Sequence, residues 1–112
     1  MTPRRGDVWL VDFGEPVGRE QSGRRPAVVV SADALNEGPA GVVMVVPCTT
    51  THQDLPSHIE IDPEDSGLDA VSYAKCEDLK SVSERRMIAR LGRGGPSVIF
   101  EIGRVLRFLL EL

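Results

Sequence analysis

Val42-Val43-Met44-Val45-Val46 runs without a break into Pro47-Cys48-Thr49-Thr50. This stretch decides the fold. A continuous apolar run rich in β-branched residues reads as a buried strand, and here it ends in a polar, hydroxyl-bearing tip. Gly38, Pro39 and Gly41 break the chain just before it. Upstream, residues 8–13 read as a first strand and residues 27–30 as a second, opened by Pro26. Between them, residues 14–25 (GEPVGREQSGRR) form a long polar loop, of the kind that is usually either functional or disordered. Ser31 is placed to cap one or two helical turns over residues 32–36.

Downstream, residues 52–56 are a loop, and residues 57–61 alternate polar and apolar as a half-buried strand does. Residues 63–69 are an acidic turn and residues 71–76 another strand. Residues 83–87 suggest one helical turn, and residues 88–91 a last short strand. Gly94-Gly95-Pro96 is a stop followed by a helix start. Val98, Ile102, Val105, Leu109 and Leu112 then recur on one helical face, widened by Ile99, Leu106 and Leu110. Such a stripe packs on the sheet and is also wide enough to meet a second subunit. Five or six short strands and a final helix make a mainly β chain, a small, strongly bent antiparallel barrel with a C-terminal helix packed on it.

With 112 residues, the chain is expected to be a single domain spanning residues 1–112. Apolar residues are 41% and charged residues 27%, both ordinary for a soluble globular domain, so no staple is needed. The longest apolar run, residues 41–47, is far short of a membrane span, and MTPRRGDVW carries no stretch of signal-peptide length. A cytoplasmic protein with no membrane partner is expected, with Cys48 and Cys76 as reduced thiols. The net charge of −4 argues mildly against a phosphate binder, but its distribution is polarised. Residues 54–78 hold eight acids against Lys75, whereas residues 79–107 hold seven bases against Glu84 and Glu101. Arg19, Arg24 and Arg25 add a second basic group. Such a polarised surface can bind phosphate on one side despite an acidic total, although the basic tail taken alone reads as ordinary solvated charge.

Four segments carry a family resemblance: Arg5-Gly6-Asp7-Val8-Trp9, Gly18-Arg19-Glu20-Gln21-Ser22-Gly23-Arg24-Arg25-Pro26, Val46-Pro47-Cys48-Thr49-Thr50 and Lys75-Cys76-Glu77-Asp78-Leu79-Lys80-Ser81. In content, order and separation they resemble the MazF/PemK toxins, as does Leu55-Pro56-Ser57-His58-Ile59-Glu60-Ile61 for some members. The resemblance implies an SH3-like barrel of the MazF/PemK/CcdB type, used as a homodimer with an RNA groove across its interface. It implies metal-independent, cofactor-free cleavage of single-stranded RNA at short sequences by an mRNA interferase. It also implies a cognate antitoxin whose acidic tail fills that groove. A relative of the same fold poisons DNA gyrase and cuts nothing, so the alternatives are a gyrase poison or a weakly active, antitoxin-binding member.

Metal-free cleavage uses the substrate's 2′-hydroxyl, which attacks the adjacent phosphorus to give a 2′,3′-cyclic phosphate. The protein must supply a base, an acid and positive charge. Arg25 matches the family's catalytic arginine; a guanidinium is a fixed fork for two phosphate oxygens. Thr49 matches its phosphate-contacting hydroxyl, with Thr50 as a neighbouring RNA contact. Glu20 and Glu77 compete for the base, each with an ion pair to Arg24 or Arg25 as its structural alternative. Arg19, Gln21, Arg24, Lys75 and Lys80 are further RNA-binding candidates. If residues 71–77 continue as strand, Lys75 and Glu77 point to one face. Asp78 and Lys80 depart from the family's usual Gln and Arg, and Asp78 beside Glu77 is expected to raise the pKa of one of the two. His58 is expected to be a structural or rim residue, His52 a loop contact and Trp9 a core or dimer residue rather than a base-stacking one.

Overall fold

A computed structural model describes residues 1–15 and 23–112. Among the described residues there are seven strands: β1 (Asp7–Asp12), β2 (Arg24–Val29), β3 (Val42–Thr49), β4 (His58–Ile61), β5 (Ser72–Lys75), β6 (Lys80–Ser83) and β7 (Met87–Arg93). Helix α1 (Asp33–Glu37) follows β2, and helix α2 (Pro96–Leu110) ends the chain. Short 3-10 turns span Cys76–Asp78 and Glu84–Arg86.

All pairing is antiparallel, in the order β4-β5-β3-β2-β1-β7, with β6 also on β3. Strand β3 explains the bend. One of its edges carries β2, while the other carries β6 along Val42–Val45 and then β5 at Cys48 and Thr49. A strand that hands one edge from one partner to another turns a corner, and the sheet curls into the barrel-like form its pattern predicts. Pro47 is tolerated because it falls between these two pairings.

Side-chain alternation divides the core in two. Val28, Val46, Cys48 and Ala74 face Ile102 and Val105 of α2. Trp9, Val11, Ala27, Val29, Val43, Val45 and Val82 fill the other, concave side, with Met87 against them. Both faces of β3 are therefore covered from Val45 to Cys48, as its apolar run requires, while Met44 stays exposed.

Helix α2 begins as expected: Gly95 caps it at φ 89°, a backbone region that favours glycine, and Pro96 opens the first turn. Its stripe is only partly used. Ile102 and Val105 are buried, whereas Leu109, Leu110 and Leu112 are exposed, as is Phe108 outside the stripe. Ser31 does not cap α1. Ala32 holds that position without a side-chain bond, because the Ser31 hydroxyl is engaged with Asn36 and with the Met44 N–H. Strand β6 was not read from the sequence, since Val82 is its one apolar residue.

Candidate functional site

Arg25 lies on β2, opposite Val11 of β1, rather than inside the preceding loop. Strands β2 and β3 pair Ala27 with Pro47 and Val29 with Val45. Continuing that register by two residues sets Arg25 opposite Thr49, on the face of Ala27 and Pro47. The register fixes the rest of this face. Thr49 pairs with Tyr73 and Tyr73 with Glu60; Lys75 pairs with His58; Val45 pairs with Lys80. Directly paired residues share a face, and so do positions i and i+2 along a strand. Arg25, Thr49, Tyr73, Lys75, His58, Glu60 and Lys80 therefore belong to one face, the concave one. They are its polar continuation beyond Ala27, Val29, Val43 and Val45.

Three of the predicted basic residues, Arg25, Lys75 and Lys80, thus lie on the face that carries Thr49. The Thr49 hydroxyl oxygen accepts from the Thr51 N–H at 3.2 Å, which leaves its own O–H to donate outward. Arg24 is exposed on the alternate face of β2, and Thr50 is exposed just past β3. Arg19, Glu20 and Gln21 lie outside the described residues.

The expected pairing of Lys75 with Glu77 is not found. The strand stops at Lys75 and the chain tightens into the 3-10 turn Cys76–Asp78, with Cys76, 1% exposed, in the same core that Ala74 faces. Residues three apart eclipse in such a turn. Lys75 Nζ accordingly lies 3.0 Å from Asp78 Oδ2, a charge contact without hydrogen-bond alignment.

Glu77 turns instead to β4. Its Oε1 accepts from the Ser57 hydroxyl at 2.8 Å and its Oε2 lies 2.7 Å from His58 Nε2. Partial burial pushes the Glu77 carboxyl up, but the hydrogen bonds from His58 and Ser57, with the His58 charge, outweigh it and hold the pKa below the ordinary 4.5. The expected upward push from Asp78 is thus absent at Glu77, because Asp78 is turned to Lys75. The His58 side chain is 2% exposed, and its Nδ1 has no hydrogen-bond partner among the described residues. His58 is thus the buried post that fixes a half-exposed carboxylate. Its two halves are 19 residues apart, and no local pattern links them.

Two residues with weaker sequence signals complete the face. His52 stacks on Tyr73, ring centroids 4.9 Å apart and planes 10° off parallel, beside the Thr49–Tyr73 pair. Trp9, 5% exposed, is a core residue whose Nε1 donates to Asp7. The Arg5-Gly6-Asp7-Val8-Trp9 motif is thereby structural at Asp7, whose buried carboxylate also accepts from the Arg4 N–H, Arg90 and Arg93. Cys48 and Cys76 are free thiols in the helix-side core.

The chain matches known proteins over nearly its whole length. The family model for the PemK-like, MazF-like toxins of type II toxin–antitoxin systems matches residues 4–110. The endoribonuclease MazF9 of Mycobacterium tuberculosis is 31% identical, with 97% of each chain covered. The crystal structure of MazF from Deinococcus radiodurans superposes with a TM-score of 0.88 at 27% identity, covering 100% of this chain and 99% of that one. An endoribonuclease in complex with its cognate antitoxin, from a mycobacterial species, superposes with a TM-score of 0.80 at 26% identity, covering 98% and 96%.

Proposed function

We infer, for a chain that belongs to the PemK-like, MazF-like toxins of type II toxin–antitoxin systems, an endoribonuclease that cuts single-stranded RNA on the concave face and is silenced by a cognate antitoxin. The observation that supports this reading is the common face of Arg25 and Thr49 on neighbouring strands, a face that Lys75 and Lys80 share. Positive charge and a hydroxyl donor converge where a scissile phosphate would lie.

In the reaction proposed, the 2′-hydroxyl loses its proton to a carboxylate as its oxygen bonds to phosphorus. The bond from phosphorus to the 5′-oxygen breaks, and that oxygen takes up a proton from water as it leaves. The products are a 2′,3′-cyclic phosphate and a 5′-hydroxyl. Arg25 and Thr49 stabilise the charge that grows on the non-bridging oxygens, a role in which one donor is typically worth about 100- to 1,000-fold in rate. Glu20 and Glu77 remain the two candidates for the proton acceptor. Glu77 is ionised and pre-oriented, but its lowered pKa makes it the weaker base.

The active form proposed is a cytoplasmic homodimer of single-domain subunits. No helix among the described residues is long and apolar enough to cross a membrane. The exposed Phe108, Leu110 and Leu112 at the end of α2 supply an apolar surface for a second subunit.

The test is incubation of wild type, Arg25→Ala and Thr49→Ala with a long single-stranded RNA in EDTA, followed by end mapping. Discrete cuts by wild type, lost or slowed at least about 100-fold in both variants, are expected. A folded wild type that cuts no RNA would overturn the reading. Glu20→Gln and Glu77→Gln, assayed side by side, separate the two candidate bases.

A further inference from the structure

A ribonuclease that cuts at a short sequence needs a place for the bases beside the scissile phosphate, not only for the phosphate itself. Arg25, Thr49 and the lysines supply charge and a hydroxyl but no surface for a base. The concave face offers one such surface. Tyr73 is half-buried on β5 and directly paired with Thr49, so its ring is one ladder position from the hydroxyl. His52 lies flat over it, 10° from parallel, while its side chain remains 62% exposed.

That combination is unusual for a ring that serves only to pack. A packing histidine is covered on both faces, as His58 is at 2% exposure. His52 is covered on one face by Tyr73 and open on the other. Its imidazole nitrogen is 4.0 Å from Asp54, which is 99% exposed, so no buried bond holds the ring in this pose. The segment that carries it is tied to the site, because the Thr51 N–H bonds to the Thr49 hydroxyl oxygen. The ring is thus held next to Thr49 by its stack on Tyr73 and by the turn at Thr49–Thr51.

We propose that the open face of His52, backed by Tyr73, is the stacking site for a nucleobase of one of the two nucleotides joined by the scissile phosphate. The proposal rests on the ribonuclease reading above and adds the subsite to it. A π-face accepts any base, so the platform positions the strand and adds affinity, whereas sequence choice falls to other groups. Tyr73 sets the plane of the imidazole in advance, which lowers the ordering cost of binding.

The experiment uses the full chain and a short RNA that contains a mapped wild-type cleavage site. A 2′-deoxy substitution at the attacking nucleotide prevents cleavage, and each flanking base is removed in turn to leave an abasic sugar. Affinities are read by fluorescence anisotropy of an end label for wild type, His52→Ala and His52→Phe. Removing one particular base should weaken wild type by at least about fivefold. The same removal should cost His52→Ala nothing further, since the ring that the base would stack on is already missing. His52→Phe should behave as wild type. On cleavable RNA, His52→Ala should raise KM and leave kcat unchanged, in contrast to Thr49→Ala.

Two results would overturn the inference. One is a base-removal penalty as large in His52→Ala as in wild type. The other is His52→Phe failing like His52→Ala, which would mean that the ring acts through its nitrogens and not its face. A wild type that cuts nothing removes the ribonuclease premise and the subsite with it, and that failure is visible at the mapping step.

Discussion

Replacing Asp7 with alanine tests the claim that the first family-like motif holds the barrel together and does no chemistry. Asp7 is 1% exposed. Its Oδ2 accepts from the Arg4 N–H at 2.9 Å and Trp9 Nε1 at 3.2 Å, and its Oδ1 from Arg93 Nη1 at 2.9 Å and Arg90 Nε at 3.2 Å. Removing one partner of a buried ion pair costs about 3–5 kcal/mol when the other charge stays buried. Here Arg90 and Arg93 are 36% and 51% exposed and turn to water. The lasting loss is the orphaned Trp9 N–H in the core and the unmade backbone bond at Arg4, about 1–3 kcal/mol for each buried donor. A net loss of about 3 kcal/mol follows, a large share of the ~5–15 kcal/mol that holds a domain folded. At about 4 °C per kcal/mol, Tm falls by roughly 12 °C.

Thermal and urea unfolding followed by far-UV circular dichroism measure the effect. Asp7→Asn should recover much of the loss, because its amide oxygen can take the place of Oδ2 and accept from both Arg4 and Trp9 while Arg90 and Arg93 turn to water. Cleavage per folded molecule should stay near the wild-type rate. Asp7 lies four residues along β1 from Val11, the residue opposite Arg25, a separation of about 13 Å. A Tm within 2–3 °C of wild type would refute the reasoning, since four bonds to a buried carboxylate cannot vanish without cost. A stable variant that has lost cleavage would also refute it, by giving Asp7 a role in the reaction.

Three further outcomes follow from the same geometry. The Glu77 carboxyl, followed by side-chain NMR, should titrate below 4.5 in wild type and move upward in His58→Ala; an unmoved midpoint would dismiss His58 as its anchor. Because the folded value is depressed, Glu77's contribution to stability is full above the unfolded-state pKa and is lost as pH falls through the folded one. Glu77→Gln should therefore be less stable than wild type at neutral pH and converge with it in acid. Burial pushes the Cys48 and Cys76 thiols up to about 12, so neither should react with a thiol reagent in the native protein at neutral pH, and both should react in denaturant. Prompt native labelling of either would show that this side of the core opens. Phe108→Asp with Leu110→Asp should reduce the mass by light scattering from twice 12.2 kDa to 12.2 kDa; a dimer that survives would place the interface away from the end of α2.

The parts of this protein that were legible in its sequence are those whose causes are local. Gly95 at φ 89° followed by Pro96 is a helix start readable from neighbouring residues, and the apolar stripe that follows needed no partner to be seen. The misreadings occur where distant burial decides. Lys75 and Glu77 look like neighbours on a strand, but the chain turns at Cys76–Asp78 and Glu77 is drawn to His58 on another strand. The His58–Glu77 bond spans 19 residues, and β6 exists because β3 offers it an edge.

The face that Thr49 occupies belongs to this second class. In Val42–Val46 both faces are apolar, so alternation within the run does not say which side Thr49 joins. Parity is settled by the register against β2, where Ala27 and Val29, both 0% exposed, lock onto Pro47 and Val45. A slip of one residue would send Thr49 toward α2 and bring Cys48 to the groove. The same slip would turn the exposed Met44 into the core and take Val46 and Cys48 away from Ile102 and Val105, so it is disfavoured. The packing that makes the barrel stable is therefore also what keeps Thr49 in line with Arg25. A core substitution such as Val45→Ala should disturb the alignment of the reacting groups as well as the melting temperature.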